Sequence, residues 1–164
     1  MNIAEFNLLS LSQARALLRP CVDIASWAEE VAQARPFSSL DAALQRAESA
    51  SQSWQQRDVE QALAQHPRIG QQAVGEGKHA ELSRHEQSTL ELDGDAIKQA
   101  LVTGNQQYEQ RFARVFLIRA RGRTSAEILE NLERRLHNTP AQEWRETTEQ
   151  LQQITLLRFK ELFD

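Results

Sequence analysis

Thr124-Ser125-Ala126-Glu127-Ile128-Leu129-Glu130-Asn131-Leu132-Glu133-Arg134-Arg135-Leu136 reads as one helix from cap to last apolar residue. Thr124 and Glu127 have the capping-box spacing, at which a hydroxyl and a carboxylate satisfy each other's exposed amides. Ile128, Leu129, Leu132 and Leu136 then recur at helical intervals, lining one face of a helix and not of a strand. Just downstream, Thr139-Pro140 opens a second helix, because proline suits the first helical position, where its missing N–H costs nothing. The stripe of that helix is Leu151, Ile154, Arg158 and Leu162.

Moving outward towards the N-terminus, the same period returns. Ser10-Leu11-Ser12 offers caps for a helix carrying Ala14, Leu17 and Leu18, which stops before Pro20. Ile24, Trp27, Ala28 and Val31 form the next stripe, ended by Arg35-Pro36-Phe37. Ser38 or Ser39 caps a helix with Leu40, Ala43, Leu44, Ala47 and Trp54 on its apolar side. Asp58 is placed to cap Val59 to Ala64, a helix closed by His66-Pro67. Residues 68–80 hold Gly70, Gly75 and Gly77 without periodicity and read as a loop. From Ser83 the apolar positions Leu90, Ile97, Leu101 and Tyr108 run towards Phe112, with Gly94 weakening an unbroken helix by roughly 1 kcal/mol against alanine. Val115-Phe116-Leu117-Ile118 is all apolar, and periodicity does not decide between a buried helical turn and an extended piece. The expectation is an all-α fold, a single compact domain over residues 1–164, of seven or eight helices and no sheet.

A chain of 164 residues fits one core. Nineteen Lys and Arg against 23 Asp and Glu leave a net charge of −4, which disfavours nucleic acid, since a phosphate backbone needs clustered cations. The basic run Arg119-Ala120-Arg121-Gly122-Arg123 reads as a solvated loop. Cys21 is the only cysteine, so no internal disulfide or thiolate cluster forms, in keeping with a reducing cytosol. Glu5, Gln13 and Arg15 break any signal-peptide core, and no apolar run is long enough for a bilayer. A cytoplasmic protein without membrane contact is expected.

Few residues offer chemistry. His66 precedes Pro67, which pushes it out of the α region to a bend. There it can serve as a general acid-base, or simply meet the negative end of a helix dipole; taken alone, the residue fits the second role better. Ser83, Glu86 and Gln87 share one helical face, where an acid-amide pair can bind an amide-rich ligand, although Ser83 and Glu86 also make a capping box. Arg158 is a cation in an apolar stripe, costly unless paired, snorkelled to the surface, or facing a cavity that receives a carboxylate. His85-Glu86-Gln87-Ser88-Thr89 lacks the second histidine of a helical zinc site, and His79, His85 and His137 complete no metal set. No serine elbow or activated cysteine is present.

In combination these segments resemble the 2-oxo-4-hydroxy-4-carboxy-5-ureidoimidazoline (OHCU) decarboxylase family, the last enzymes in converting urate to (S)-allantoin. The resemblance runs through Phe6-Asn7, Arg35-Pro36-Phe37, His66-Pro67-Arg68-Ile69-Gly70, and Ser83 with Glu86-Gln87. It continues in Asn105, Tyr108, Arg111-Phe112, Phe116, Ala120-Arg121-Gly122-Arg123, Arg135-Leu136, Asn138 and Ile154-Thr155-Leu156-Leu157-Arg158. Each is weak alone; in this order they are specific. The resemblance implies His66 as the catalytic acid-base with Glu86, and Pro67, Ser83, Arg84, His85, Glu86 and Gln87 along the substrate. It implies main-chain groups of Phe116, Leu117, Ile118, Arg119 and Ala120 towards the ring, and Arg158 holding an anionic or ureido group. It further implies an all-helical fold, a homodimer, a small ureidoimidazoline substrate, and no cofactor or metal. Two departures stand out: Ala113-Arg114-Val115 replaces a glycine-and-proline turn, and Arg119 replaces a small residue. Outside this resemblance, a hydrolase of another ureido compound and a non-catalytic helical interaction module are the rivals.

Overall fold

The computed structural model describes residues 1–69, 82 and 94–163. Among these it has eight α-helices and no strand. They are α1 (Ile3–Leu8), α2 (Leu11–Leu18), α3 (Ala25–Gln33), α4 (Leu40–Ser51), α5 (Gln56–Leu63), α6 (Gly94–Phe112), α7 (Ser125–Arg135) and α8 (Pro140–Glu161). A 3-10 turn, Arg19–Cys21, follows α2. The all-α expectation holds. Two compact units divide the chain, residues 1–62 with 152–164 and residues 63–151.

Cap chemistry sets most helix starts. Ser10 and Gln13 exchange side-chain bonds at α2, and Ser39 Oγ accepts from the Ala42 amide at α4. At α7 the Thr124 hydroxyl accepts from Glu127 N–H at 3.1 Å, and before α8 Thr139 and Gln142 bond reciprocally. Each such cap contributes about 1 kcal/mol. Two expectations need correction. Asp58 sits inside the first turn of α5 and accepts from Gln55 N–H at 2.9 Å, so the helix starts earlier than the acid suggested. Trp54 lies beyond the end of α4 and not on its stripe.

The first unit is built on aromatic packing. Phe6 stacks on Phe37 and meets Phe159 and Phe163 edge-on, while Phe159 also packs edge-on against Trp27. Burial of each such ring stabilises by roughly 1.5–3 kcal/mol. The motif residues brace this core: Asn7 exchanges two hydrogen bonds with the Phe37 backbone, and Arg35 Nη1 donates to the carbonyls of Phe6 and Leu9 at 2.7 and 2.8 Å.

The second unit has its core in Ile69, Leu101, Tyr108, Phe112, Phe116, Ile118, Ala120, Ile128 and Leu132. Gly104 allows α6 and α7 to pack closely, since a Cβ there would stand 2.6 Å from Leu132 Cδ2. Helix α6 ends on Ala113, whose φ of 57° is the left-handed conformation that favours glycine, at a cost of roughly 1–2 kcal/mol to an L-residue. The turn is therefore made despite the missing glycine. Beyond it, residues 115–120 carry no helix, strand or bend, so the apolar run is not a buried helical turn.

Candidate functional site

His66 follows the last turn of α5, and its amide bonds the Leu63 carbonyl at 3.0 Å, one short step past the helix. His66 is half-buried and makes a further interaction. The chain is pinned just after it. Arg68 pairs with Glu109 at 2.8 Å on the surface, and Ile69 enters the core of the second unit. Asn105 Nδ2 donates to the Ile69 carbonyl at 3.2 Å. Ile69 shares its apolar cluster with Phe116, Ile118 and Ala120, so the turn that bears His66 and Pro67 is anchored in the packing of the 116–120 segment.

That segment is held by a buried polar cluster. Arg135, 1% exposed, donates two bonds from Nε to Glu143, at 2.8 and 3.0 Å, and a third from Nη2 at 2.8 Å. Its Nη1 donates to the Leu117 carbonyl at 2.8 Å, and the guanidinium lies 4.5 Å from the Phe116 ring centre. Tyr108 donates its hydroxyl proton to Glu143 at 2.6 Å, and Glu143 is fully buried. A carboxylate and a guanidinium out of water are tolerable only when nearly all their donors and acceptors are used, and here they are. Further along, Arg119 N–H donates to Gln150 Oε1 and Arg123 Nε to the Arg119 carbonyl, both at 2.9 Å. Arg119 and Arg123 are half-buried, which corrects the reading of a solvated loop. Burial, then the neighbouring Arg119 charge, holds the Arg123 guanidinium below its ordinary value.

Arg158 lies in the first unit, 2% exposed, with Nη1 donating to the Pro20 carbonyl at 3.2 Å. Snorkelling to the surface is thereby ruled out. Cys21 is buried in the same unit, and its thiol is pushed up to about 12 by burial, against the opposing pull of the Arg158 charge. Ser83, Arg84, His85, Glu86 and Gln87 lie outside the described residues, as does the loop expected from Gly70 onward. Of the sequence candidates, His66, Pro67 and residues 116–120 fall in the second unit and Arg158 in the first.

Sequence reasoning missed Arg135, Glu143 and Gln150 as parts of this architecture. Arg135 carries the same signal as Arg158, a cation within a leucine stripe, and the test applied to one would have found the other. Glu143 looks like an ordinary first-turn acid, and nothing distinguishes Gln150. Among the described residues there is no group of three or more His, Cys, Asp or Glu that could hold a metal, and no helix long and apolar enough to cross a membrane.

The buried groups make a prediction for alkaline solution. Tyr108 is raised to about 12, by burial first and by its bond to Glu143 second, and Cys21 to about 12. Both keep their protons in the folded state where an unfolded chain would lose them, at about 10 and 8.5 respectively. The unfolded state therefore binds fewer protons in this window, and stability, complete below it, falls as pH rises to about 12. Denaturant midpoints measured across the window should show a smaller decline in Tyr108→Phe and Cys21→Ala than in the wild type; equal slopes in all three would exclude these groups.

A model of the OHCU decarboxylase family matches residues 7–160. The chain is similar to the uric acid degradation bifunctional protein of Bacillus sp. (strain TB-90), 26% identical over 173 residues that cover 99% of this chain and 32% of that one. It is also similar to the uric acid degradation bifunctional protein TTL of Arabidopsis thaliana, 30% identical over 146 residues, covering 87% and 45%. The chain thus spans less than half the length of either relative. Among solved structures, a crystal structure of OHCU decarboxylase in the presence of (S)-allantoin aligns with a TM-score of 0.71 at 26% identity, over 88% of this chain and 95% of that chain. A crystal structure of (S)-allantoin synthase aligns at 0.74 and 15% identity, over 100% and 54%, a likeness of fold.

Proposed function

Because this chain belongs to the OHCU decarboxylase family, we propose that it removes carbon dioxide from 2-oxo-4-hydroxy-4-carboxy-5-ureidoimidazoline to leave (S)-allantoin, in urate breakdown, with His66 as acid-base. The observation that carries this reading is the family match over 7–160, a span that takes in His66, residues 83–87 and Arg158. The OHCU decarboxylase likeness at 26% identity, obtained in the presence of the product, supports it.

The chemistry suits so few reactive side chains. The carbon bearing the carboxylate stands beside a ring C=N bond. As the bond to the carboxylate breaks, its electron pair forms a C=C bond to the ureido-bearing carbon, and the C=N pair moves onto the ring nitrogen, which takes a proton. The resulting enol gives up its hydroxyl proton and gains one at the ureido-bearing carbon. Electrons stay within the substrate's own ring, so the step balances without an external sink. His66, helped by Glu86, moves these protons. Main-chain groups of Phe116, Leu117, Ile118, Arg119 and Ala120 face the ring, Pro67 and residues 83–87 (Ser83, Arg84, His85, Glu86, Gln87) border it, and Arg158 holds an anionic or ureido oxygen.

We take residues 1–164 as one domain that works in the cytosol as a homodimer; a one-chain mass at sedimentation equilibrium would remove the dimer. Purified protein given freshly generated substrate and no cofactor should release carbon dioxide faster than buffer does. Ammonia in its place would make the chain a ureido hydrolase. Neither product above background, from a folded sample, would make it a non-catalytic helical module.

A further inference from the structure

We propose that Gln150 is a positioning residue: with Arg135 it clamps the main chain of residues 117–119 and so sets how that segment meets the ring. The inference rests on the reading above that 116–120 faces the substrate. Residues 115–120 run without helix, strand or bend, so the segment cannot hold its own path through internal backbone bonds. Besides Arg123 Nε on the Arg119 carbonyl, two side chains hold it from outside. Arg135 Nη1 gives a hydrogen bond to the Leu117 carbonyl at 2.8 Å, and Gln150 Oε1 takes one from the Arg119 amide at 2.9 Å.

The spacing of these two holds matters. A clamp on Leu117 C=O and Arg119 N–H holds both neighbours of Ile118 and so fixes the direction of its N–H and C=O. One donor beside one acceptor is the pattern that matches an amide of a ureido or imidazolone group. Arg135 is locked into the buried cluster by Glu143, whereas Gln150 is half-buried on α8 and uncharged. Gln150 is thus the hold that can be removed without leaving a buried charge behind.

The test compares Gln150→Leu, which lacks an acceptor, with Gln150→Glu, which keeps an oxygen for the Arg119 amide. Main-chain contacts to the ring form in the substrate complex and persist in the transition state, so their loss raises KM and leaves kcat in place. Gln150→Leu is expected to raise KM roughly fivefold, the value of one neutral hydrogen bond, with kcat within about twofold. Gln150→Glu should restore KM. A purely structural role would lower the folded fraction, and with it the apparent kcat, at unchanged KM. An unchanged KM in Gln150→Leu, or the same rise in Gln150→Glu, overturns the proposal. Amide hydrogen exchange at Arg119 is the second readout: faster in Gln150→Leu and normal in Gln150→Glu if the clamp exists, equal in both if it does not. Gln150→Met, closer in shape, replaces the leucine variant if that one fails to fold. A wild-type protein without decarboxylase activity would sink the proposed function instead, and exchange at Arg119 would still decide the clamp.

Discussion

His66→Asn is expected to lower kcat for carbon dioxide release by roughly 10²–10⁴ while the protein stays folded. The substitution keeps a planar polar side chain of similar reach but removes the group that can take up and return a proton near neutral pH. His66 stands outside the helix, half-buried, and the chain after it is anchored by the burial of Ile69, the Arg68–Glu109 pair and the Asn105 bond to the Ile69 carbonyl. The thermal midpoint is therefore expected within a few degrees of wild type. Substrate binding should survive, because the guanidinium and main-chain groups assigned to binding lie elsewhere in the chain. A fall in KM-independent turnover at constant stability is the signature. Wild-type turnover in a folded His66→Asn would remove the histidine from the mechanism.

Glu143→Ala costs about 3–5 kcal/mol of stability, because it leaves the Arg135 guanidinium buried with its principal counter-charge gone. For a chain of this length that corresponds to a drop of roughly 10 °C in the thermal midpoint. Tyr108 also loses the acceptor for its hydroxyl, adding an unsatisfied buried donor. The combined replacement Tyr108→Phe, Arg135→Met, Glu143→Leu removes both buried charges and the Tyr108 hydroxyl at once, while Thr147 and the Leu117 carbonyl still lose these partners, so part of the lost stability should return. Its activity should not return, since the Leu117 carbonyl has then lost its donor. Equal thermal midpoints for wild type and Glu143→Ala would show that the buried pair contributes nothing; a triple variant as unstable as Glu143→Ala would show that the loss is not one of an unpaired charge.

Much of this architecture was legible from residue order because helices announce themselves locally. Ser10, Ser39, Thr124 and Thr139 are short-range signals, and each sits at the start of the helix it was expected to open. Where local signals competed, the reading slipped: Asp58 resembles a cap but acts within the first turn, and Trp54 keeps the stripe's spacing although the helix has already ended. The run from Val115 to Ile118 could not be decided because its conformation is set by distant partners, Arg135 and Gln150, and by a left-handed Ala113 that no propensity favours. Arg158 is legible as a cation in an apolar stripe, and it is buried there. Glu143 was invisible for the opposite reason: an acid in the first turn of a helix is so ordinary that only the fold reveals its burial. The acid-amide pair Glu86-Gln87 was read from its spacing alone and falls outside the described residues.

The most direct test is the handedness of the allantoin formed as freshly generated substrate is consumed, followed by circular dichroism. A planar enol in water is protonated on both faces, whereas one held against a fixed proton donor is protonated on one. A single-handed (S) signal is expected, growing in step with carbon dioxide and in proportion to protein concentration. Racemic allantoin, appearing at the rate of the protein-free solution, would contradict it.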